Sequence, residues 1–345
     1  MTQQHQPPEH LKGFESLSPG TYDTPGGGIL SYSHTPASER KPGAPILVLL
    51  HGWPQTRYIW RYAVPVLSDL GHTLFVPDLP GYGYSTMSRV VASDVGAKSE
   101  HDRASVGFGV LSAVRAVYGD DAGEDELNVV LIGHDRGGRV AQRLITSSSP
   151  SLPVPQALQI RILGAVILDI VPYSAQWSAH ANPRASTRYW HWSFLPSAFS
   201  VPLVQAYGGG RFCREIMASV AGGSEAGRAS LYADGAVEHY ARCYEQEEVI
   251  RGAAADYGAG AAEDWDVSRD EVTEGRKVRV PAVVLYCEGL GTMHSDVEAI
   301  WKQWASPNVR LDVHAIRGGA GHYLPEEAPE ETNNHIVDFL RELGL

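Results

Sequence analysis

The chain is poor in cysteine, in basic charge and in long hydrophobic runs. Its three cysteines, Cys213, Cys243 and Cys287, form no Cys-x-x-Cys pair and leave one odd. That excludes a disulfide framework and a cysteine metal site, and predicts a reduced, cytoplasmic protein. Cys287 sits in an apolar strand-like run and reads as buried and inert. With 28 Lys and Arg against 40 Asp and Glu, the formal net charge is -12. This balance argues against nucleic acid or an anionic membrane as partner. No apolar run approaches the length of a membrane-spanning helix. The polar start, Met1-Thr2-Gln3-Gln4-His5-Gln6-Pro7-Pro8, lacks the apolar stretch of a signal peptide. A small-molecule substrate remains. If it is an anion, the pocket must hold local positive charge against an acidic background.

The 345 residues suffice for one large domain with a sizeable insertion. Short apolar runs at 46–50, 73–76, 129–132, 162–168 and 282–286 predict buried strands of a mostly parallel sheet. Residues 309–315 predict a last strand, and 26–32 part of an N-terminal hairpin. Helical spacing recurs between the strands. Val297, Ile300, Trp301 and Trp304 share one face of 296–305, and Ile336, Phe339 and Leu340 one face of 327–343. Strand–helix alternation of this kind gives a doubly wound α/β sheet. The rhythm stops at Val171 and returns at Val280-Pro281-Ala282. The stretch between is aromatic first, then rich in Ala and Gly, then charged, and predicts a helical cap that excludes water and walls a pocket. The domain reading is core 1–171, cap 172–280 and core 281–345, with Trp177 and Trp190 packed inside the cap. Gly123-Glu124-Asp125 marks a solvated loop.

Gly133-His134-Asp135-Arg136-Gly137 follows the apolar run Asn128-Val129-Val130-Leu131-Ile132. The spacing Gly-x-nucleophile-x-Gly describes a sharp strand-to-helix turn that exposes one side chain at the top of a sheet. Serine there means acyl transfer. Aspartate is already ionised at neutral pH, needs no activating base and can displace a leaving group from saturated carbon. The product is an enzyme ester that water must hydrolyse. That chemistry is carbon–halogen cleavage or epoxide opening. His51-Gly52-Trp53-Pro54-Gln55 places the Trp53 N–H toward the turn, and with the Arg136 N–H it would form an oxyanion hole. Asp78-Leu79-Pro80-Gly81 reads as a rigid structural turn. His322, in Arg317-Gly318-Gly319-Ala320-Gly321-His322, is placed to deprotonate the attacking water. Asp169, Glu288 and Asp296 are all candidates to orient it. Arg136 and Arg139 open the helix after the turn, where cations oppose the helix dipole. The placement calls for a negative partner, either Asp135 or an anionic ligand gripped by charge-assisted hydrogen bonds.

The stretch Gly133-His134-Asp135-Arg136-Gly137-Gly138-Arg139, with His51-Gly52-Trp53-Pro54-Gln55 and Tyr189-Trp190-His191-Trp192-Ser193-Phe194-Leu195, resembles the haloacetate dehalogenases of the α/β-hydrolase superfamily, in particular the fluoroacetate dehalogenase group. The resemblance runs from about Gly43 to the C-terminus. It implies an α/β-hydrolase fold, Asp135 as nucleophile and His322 as base, and it favours Asp169 as the orienting acid. It implies Arg136 and Arg139 as holders of the substrate carboxylate, and His191, Trp192 and Tyr257 as donors to the departing halide. It carries a homodimer as an expectation. Trp53 stands where the family commonly has Phe, and residues 208–235 match poorly, differences that bear on pocket volume.

The expected activity is hydrolytic dehalogenation of short 2-haloacids with no metal or organic cofactor. The first rival is an epoxide hydrolase sharing the Asp and His, with cap tyrosines such as Tyr232, Tyr240 and Tyr244 as proton donors. The second is a non-catalytic ligand receptor on the same scaffold.

Overall fold

The described residues hold eight strands, most of them built on β-branched and leucine runs bounded by turns: β1 Ser18–Asp23, β2 Ile29–His34, β3 Ile46–Leu50, β4 Thr73–Pro77, β5 Leu127–His134, β6 Ile160–Leu168, β7 Ala282–Cys287 and β8 Leu311–Ile316. The computed structural model describes residues 11–87, 101–119, 126–146 and 154–345. The polar start and the Gly123–Asp125 loop lie outside those described residues.

The strands form one sheet in the order β1-β2-β4-β3-β5-β6-β7-β8. β1 and β2 are an antiparallel hairpin, β2 also runs antiparallel to β4, and the rest is parallel. β3 and β4 are buried at every position, as a sheet covered on both faces requires. β8 is an edge and only half-buried, which is why its apolar alternation is weak in the sequence. The parallel register pairs Leu50 with Gly133, His134 with Leu168, and Cys287 with Ile316. The C-terminal ends of β3, β5, β6, β7 and β8 therefore open on one rim. In open α/β sheets that rim is where ligands bind. His51, Asp135, Asp169, Glu288 and the loop to His322 all leave from it.

Two predicted helices are shorter than their patterns. Residues 296–305 give Val297–Lys302, because the Asp296 carboxylate accepts from the Ala299 N–H and caps the helix. Residues 327–343 give Pro329–Glu342, after a separate turn at Leu324–Glu327 and a break at Ala328 (φ -137°). The helix Glu288–His294 was not read from sequence; Gly289 and Gly291 weaken its helical signal.

Between β6 and β7 the chain is helical from Tyr173–Ala179 to Glu263–Thr273, with no strand among the described residues. This insert is bonded to the core by buried polar pairs. Glu326 takes Arg61, Gln55 and the Tyr240 hydroxyl, and Arg143 pairs with Glu271. Trp177 packs as expected, its indole N–H donating to Gly260 O at 3.0 Å. Trp190 does not. It is 44% exposed, on a surface that also shows Phe199, Leu203 and Tyr207. All three cysteines are free and buried. No helix among the described residues is long and apolar enough to cross a membrane.

Candidate active site

Asp135 sits at φ 46°, between β5 and the helix Arg136–Thr146. A left-handed backbone at a non-glycine residue is strained and persists only where the surroundings impose it. Glycines allow the turn. A Cβ on Gly137 would lie 2.4 Å from Leu50 O, and one on Gly52 2.5 Å from the Asp135 Cβ. The Asp135 N–H donates to Leu168 O at 3.0 Å, and its own carbonyl starts the helix by accepting from the Arg139 N–H at 3.0 Å.

The Asp135 carboxylate is buried, and one oxygen is held. The Trp53 N–H donates to Oδ2 at 2.9 Å. The Arg136 N–H, expected as a second donor, makes no such bond to Asp135 among the described residues. Burial pushes the Asp135 carboxyl up. His322, His134, Arg136 and the Trp53 N–H together outweigh it and hold the group at about 2. The loop that brings Trp53 is fixed by His51, whose Nδ1 faces Gly52 O at 2.8 Å while Nε2 accepts from the Leu79 N–H at 2.8 Å. The following turn is tied to Asp78, which accepts from the Arg57 and Tyr84 N–H groups, a structural role as read from sequence.

His322 Nδ1 lies 2.6 Å from Asp169 Oδ2, and Nε2 lies 4.0 Å from Asp135 Oδ2. Of the three candidate acids, Asp169 is therefore the one paired with His322. Glu288 is exposed at the start of its helix, and Asp296 is used as a helix cap. Asp169, itself at φ 55°, also accepts from the Cys287 N–H at 2.7 Å. Burial alone would lower the His322 pKa. The Asp169 hydrogen bond and the charges of Asp169 and Asp135 reverse that and raise it. Sequence reading missed Glu327, whose carboxylate accepts from the N–H groups of Gly222 (2.6 Å), Gly321 (3.0 Å) and Tyr323 (3.1 Å) and so ties the His322 loop to the cap.

The two arginines divide. Arg139 is 2% exposed and lines the cavity above Asp135. Nη1 donates to Val171 O at 3.0 Å, and the guanidinium lies over Tyr173 and Trp192. It has no carboxylate partner among the described residues. Arg136, in contrast, does not line the cavity. It is fully buried against Asp256, with Nε to Oδ2 at 2.7 Å and Nη2 to Oδ1 at 3.0 Å. Asp256 also takes the Tyr82 hydroxyl at 2.6 Å and Arg103. This corrects the expectation that both guanidiniums face the cavity. The signal was there: a cation at a helix N-terminus needs a carboxylate, and Asp256 adjoins Tyr257.

His191, Trp192 and Tyr257 all line the same cavity, with ring centroids 5.5–5.8 Å apart from Tyr257. Their side-chain polar atoms make no hydrogen bond among the described residues. Burial pushes the His191 pKa down to about 3, so the ring is neutral. It stacks on Trp53 at 5.2 Å. The tyrosines expected for epoxide opening are elsewhere. Tyr232 is 47% exposed, Tyr240 donates to Glu326, and the Tyr244 hydroxyl accepts from the Trp53 indole. The cavity measures about 310 Å³. Among the described residues no group of three or more His, Cys, Asp or Glu is placed to hold a metal ion.

The chain is similar to known proteins in sequence and in fold. A fluoroacetate dehalogenase from Burkholderia sp is 27% identical over 307 residues, 86% of this chain and 87% of that protein. Epoxide hydrolase A from Mycobacterium tuberculosis is 31% identical over 129 residues, 35% of each chain. Among solved structures, ALR0039 from Nostoc sp PCC 7120 superposes with a TM-score of 0.74 at 28% identity, covering 95% of this chain and 99% of that one. Residues 47–335 match the alpha/beta hydrolase family, and the chain belongs to it.

Proposed function

We propose that this hydrolase is a dehalogenase of short 2-haloacids. The observation that carries the reading is Arg139, a buried guanidinium without a carboxylate partner, in the same cavity as a carboxylate that has one oxygen pinned. A protein leaves a buried cation unpaired at a cost of several kcal/mol unless a ligand supplies the anion. A neutral epoxide does not.

Arg139 holds the substrate carboxylate and sets C2 before the free Asp135 Oδ1, the positioning on which most of the rate depends. Oδ1 attacks C2, and the carbon–halogen pair leaves with the halide. His191, Trp192 and Tyr257 donate to the charge that develops there. Water then attacks Cγ of the ester, and His322 Nε2 takes its proton; the 4.0 Å gap to Asp135 accommodates one bridging water. Asp169 steadies the imidazolium. The oxyanion forms where the Trp53 N–H already points. Collapse expels the 2-hydroxyacid, whose alkoxide recovers the proton from His322, and regenerates Asp135 with one oxygen from water.

An epoxide hydrolase is the second reading, since Tyr189 and Tyr257 both line the cavity and part of the chain is similar to epoxide hydrolases. The test is halide release from chloroacetate and fluoroacetate beside diol formation from styrene oxide, with intact-mass analysis of His322→Asn. In that variant the ester accumulates on Asp135. A His322→Asn protein that stays unmodified and fully active overturns the proposal.

A further inference from the structure

Helix Tyr173–Ala179 enters the cap just after Val171, whose carbonyl holds Arg139. Its Gln176 is 2% exposed and lines the cavity with Arg139. The Gln176 amide nitrogen is fully enclosed and has no hydrogen-bond partner among the described residues. Buried amides are nearly always satisfied, because burying one without a partner costs on the order of 1–3 kcal/mol. Three further polar atoms without partners cluster on the same elements: Arg139 Nε, Arg136 Nη1 and the Tyr173 hydroxyl. The Arg139 guanidinium lies 4.4 Å from the Tyr173 ring centre. Of these residues Arg139 alone lines the cavity with Gln176, and two unsatisfied donor groups on one cavity wall are the signature of a missing acceptor.

We infer that Gln176 is a substrate-binding residue: its amide donates to the same carboxylate that Arg139 holds, filling on the cavity wall the place that Arg136 gives up to Asp256. The inference rests on the dehalogenase reading. The chemistry is simple. A carboxylate offers two oxygens and about four lone-pair sites. Arg139 spends Nη1 on Val171 O and so presents only part of its fork. An amide rotated about its last bond turns its NH2 toward the cavity and supplies a second neutral donor without adding charge. A second arginine there would raise the cost of the empty site. A glutamine does not.

Three proteins test it: wild type, Gln176→Leu and Gln176→Glu, each assayed for chloride release from chloroacetate and from neutral chloroacetamide, with unfolding midpoints measured in parallel. In Gln176→Leu the KM for chloroacetate rises about ten- to a hundredfold, the worth of one hydrogen bond to a charged group, while kcat changes little. Gln176→Glu sets a carboxylate against the acid and an acceptor against the amide, so the preference for acid over amide falls further and inverts. A glutamine that only supports the fold lowers both substrates together and moves the unfolding midpoint. Unchanged KM values and an unchanged acid-to-amide ratio in both variants overturn the assignment and leave the dehalogenase reading standing. A wild-type protein that releases no halide from any 2-haloacid overturns that reading, and the inference with it.

Discussion

Replacing the two arginines one at a time separates substrate binding from folding. Arg139→Met removes a buried cation that no carboxylate balances. The protein loses one hydrogen bond to Val171 O and the contacts with the Tyr173 and Trp192 rings. These are offset by relief of the buried charge, which burial already disfavours. Stability therefore changes little. The substrate loses a charge-assisted contact, worth about 1.5–3 kcal/mol, so kcat/KM for chloroacetate falls about ten- to a hundredfold. Arg136→Met does the reverse. It strips two hydrogen bonds from the buried Asp256 carboxylate, which keeps only Tyr82 and Arg103, and a third from the Asp256 backbone carbonyl. Breaking a buried pair costs about 3–5 kcal/mol, and the remaining partners put this case toward the lower end. The assay is urea unfolding beside initial rates of halide release. An Arg139→Met protein with wild-type kcat/KM, or one destabilised as much as Arg136→Met, refutes the argument that Arg139 is kept for a ligand.

Tyr257→Phe and Trp192→Phe each remove one donor to the leaving group. Halide release falls by about a hundred- to a thousandfold by analogy with oxyanion-hole donors, and more for fluoroacetate than for bromoacetate, since fluoride concentrates the charge; equal losses for both halides count against the assignment. Asp135 is held at about 2 and stays ionised at all working pH, so the acid limb belongs to His322. His322 is raised in the free enzyme partly by Asp135, and that charge vanishes in the ester, so ester hydrolysis slows at a lower pH than the one at which free His322 titrates. Quenched single turnovers should show the ester fraction growing as pH falls from about 8 to 5; a flat fraction rejects His322 as base. The cavity of about 310 Å³ has room for about ten waters, twice the heavy atoms of chloroacetate, and Ile170, Val220, Leu290 and Met293 line part of it. From 2-chloropropionate onward, where the reacting carbon stays secondary, each added methylene should raise kcat/KM about fourfold until the space fills, and a steady decline along that series would show that this space is not a chain pocket.

The sheet and the nucleophile were legible because both are local. Runs such as 46–50 and 129–132 are apolar at every position, and the Gly-x-Asp-x-Gly spacing fixes its own turn. The acid was not. Asp169, Glu288 and Asp296 all follow strands or precede helices, and only the register of β6 against β7 shows which carboxylate reaches His322. The cap was legible as an interruption but not in detail. Trp190 reads as core by residue type, yet it lies on the surface, because short helices joined by tight turns carry no long periodicity to mark their inner face. The division between Arg136 and Arg139 was half legible: that a cation at a helix N-terminus needs a carboxylate could be read, but not which arginine takes it. Three residues apart on one helix, they look equivalent, and what separates them is Asp256, some 120 positions away.

The acidic surface and an anionic substrate are compatible once distance is considered. A net charge of -12 is spread over the whole chain, and exposed charges more than about 8–10 Å from the site are screened at physiological ionic strength. Arg139 is buried beside the reacting carboxylate, where the effective dielectric is low. At about 4 Å and an effective dielectric near 20, one charge pair is worth about 4 kcal/mol, against about 1 in water. One enclosed guanidinium therefore outweighs many remote carboxylates. The same arithmetic explains why Arg136 is neutralised by Asp256. Two unpaired guanidiniums that close would repel each other strongly in the empty enzyme, so the fold balances one and leaves the other for the ligand.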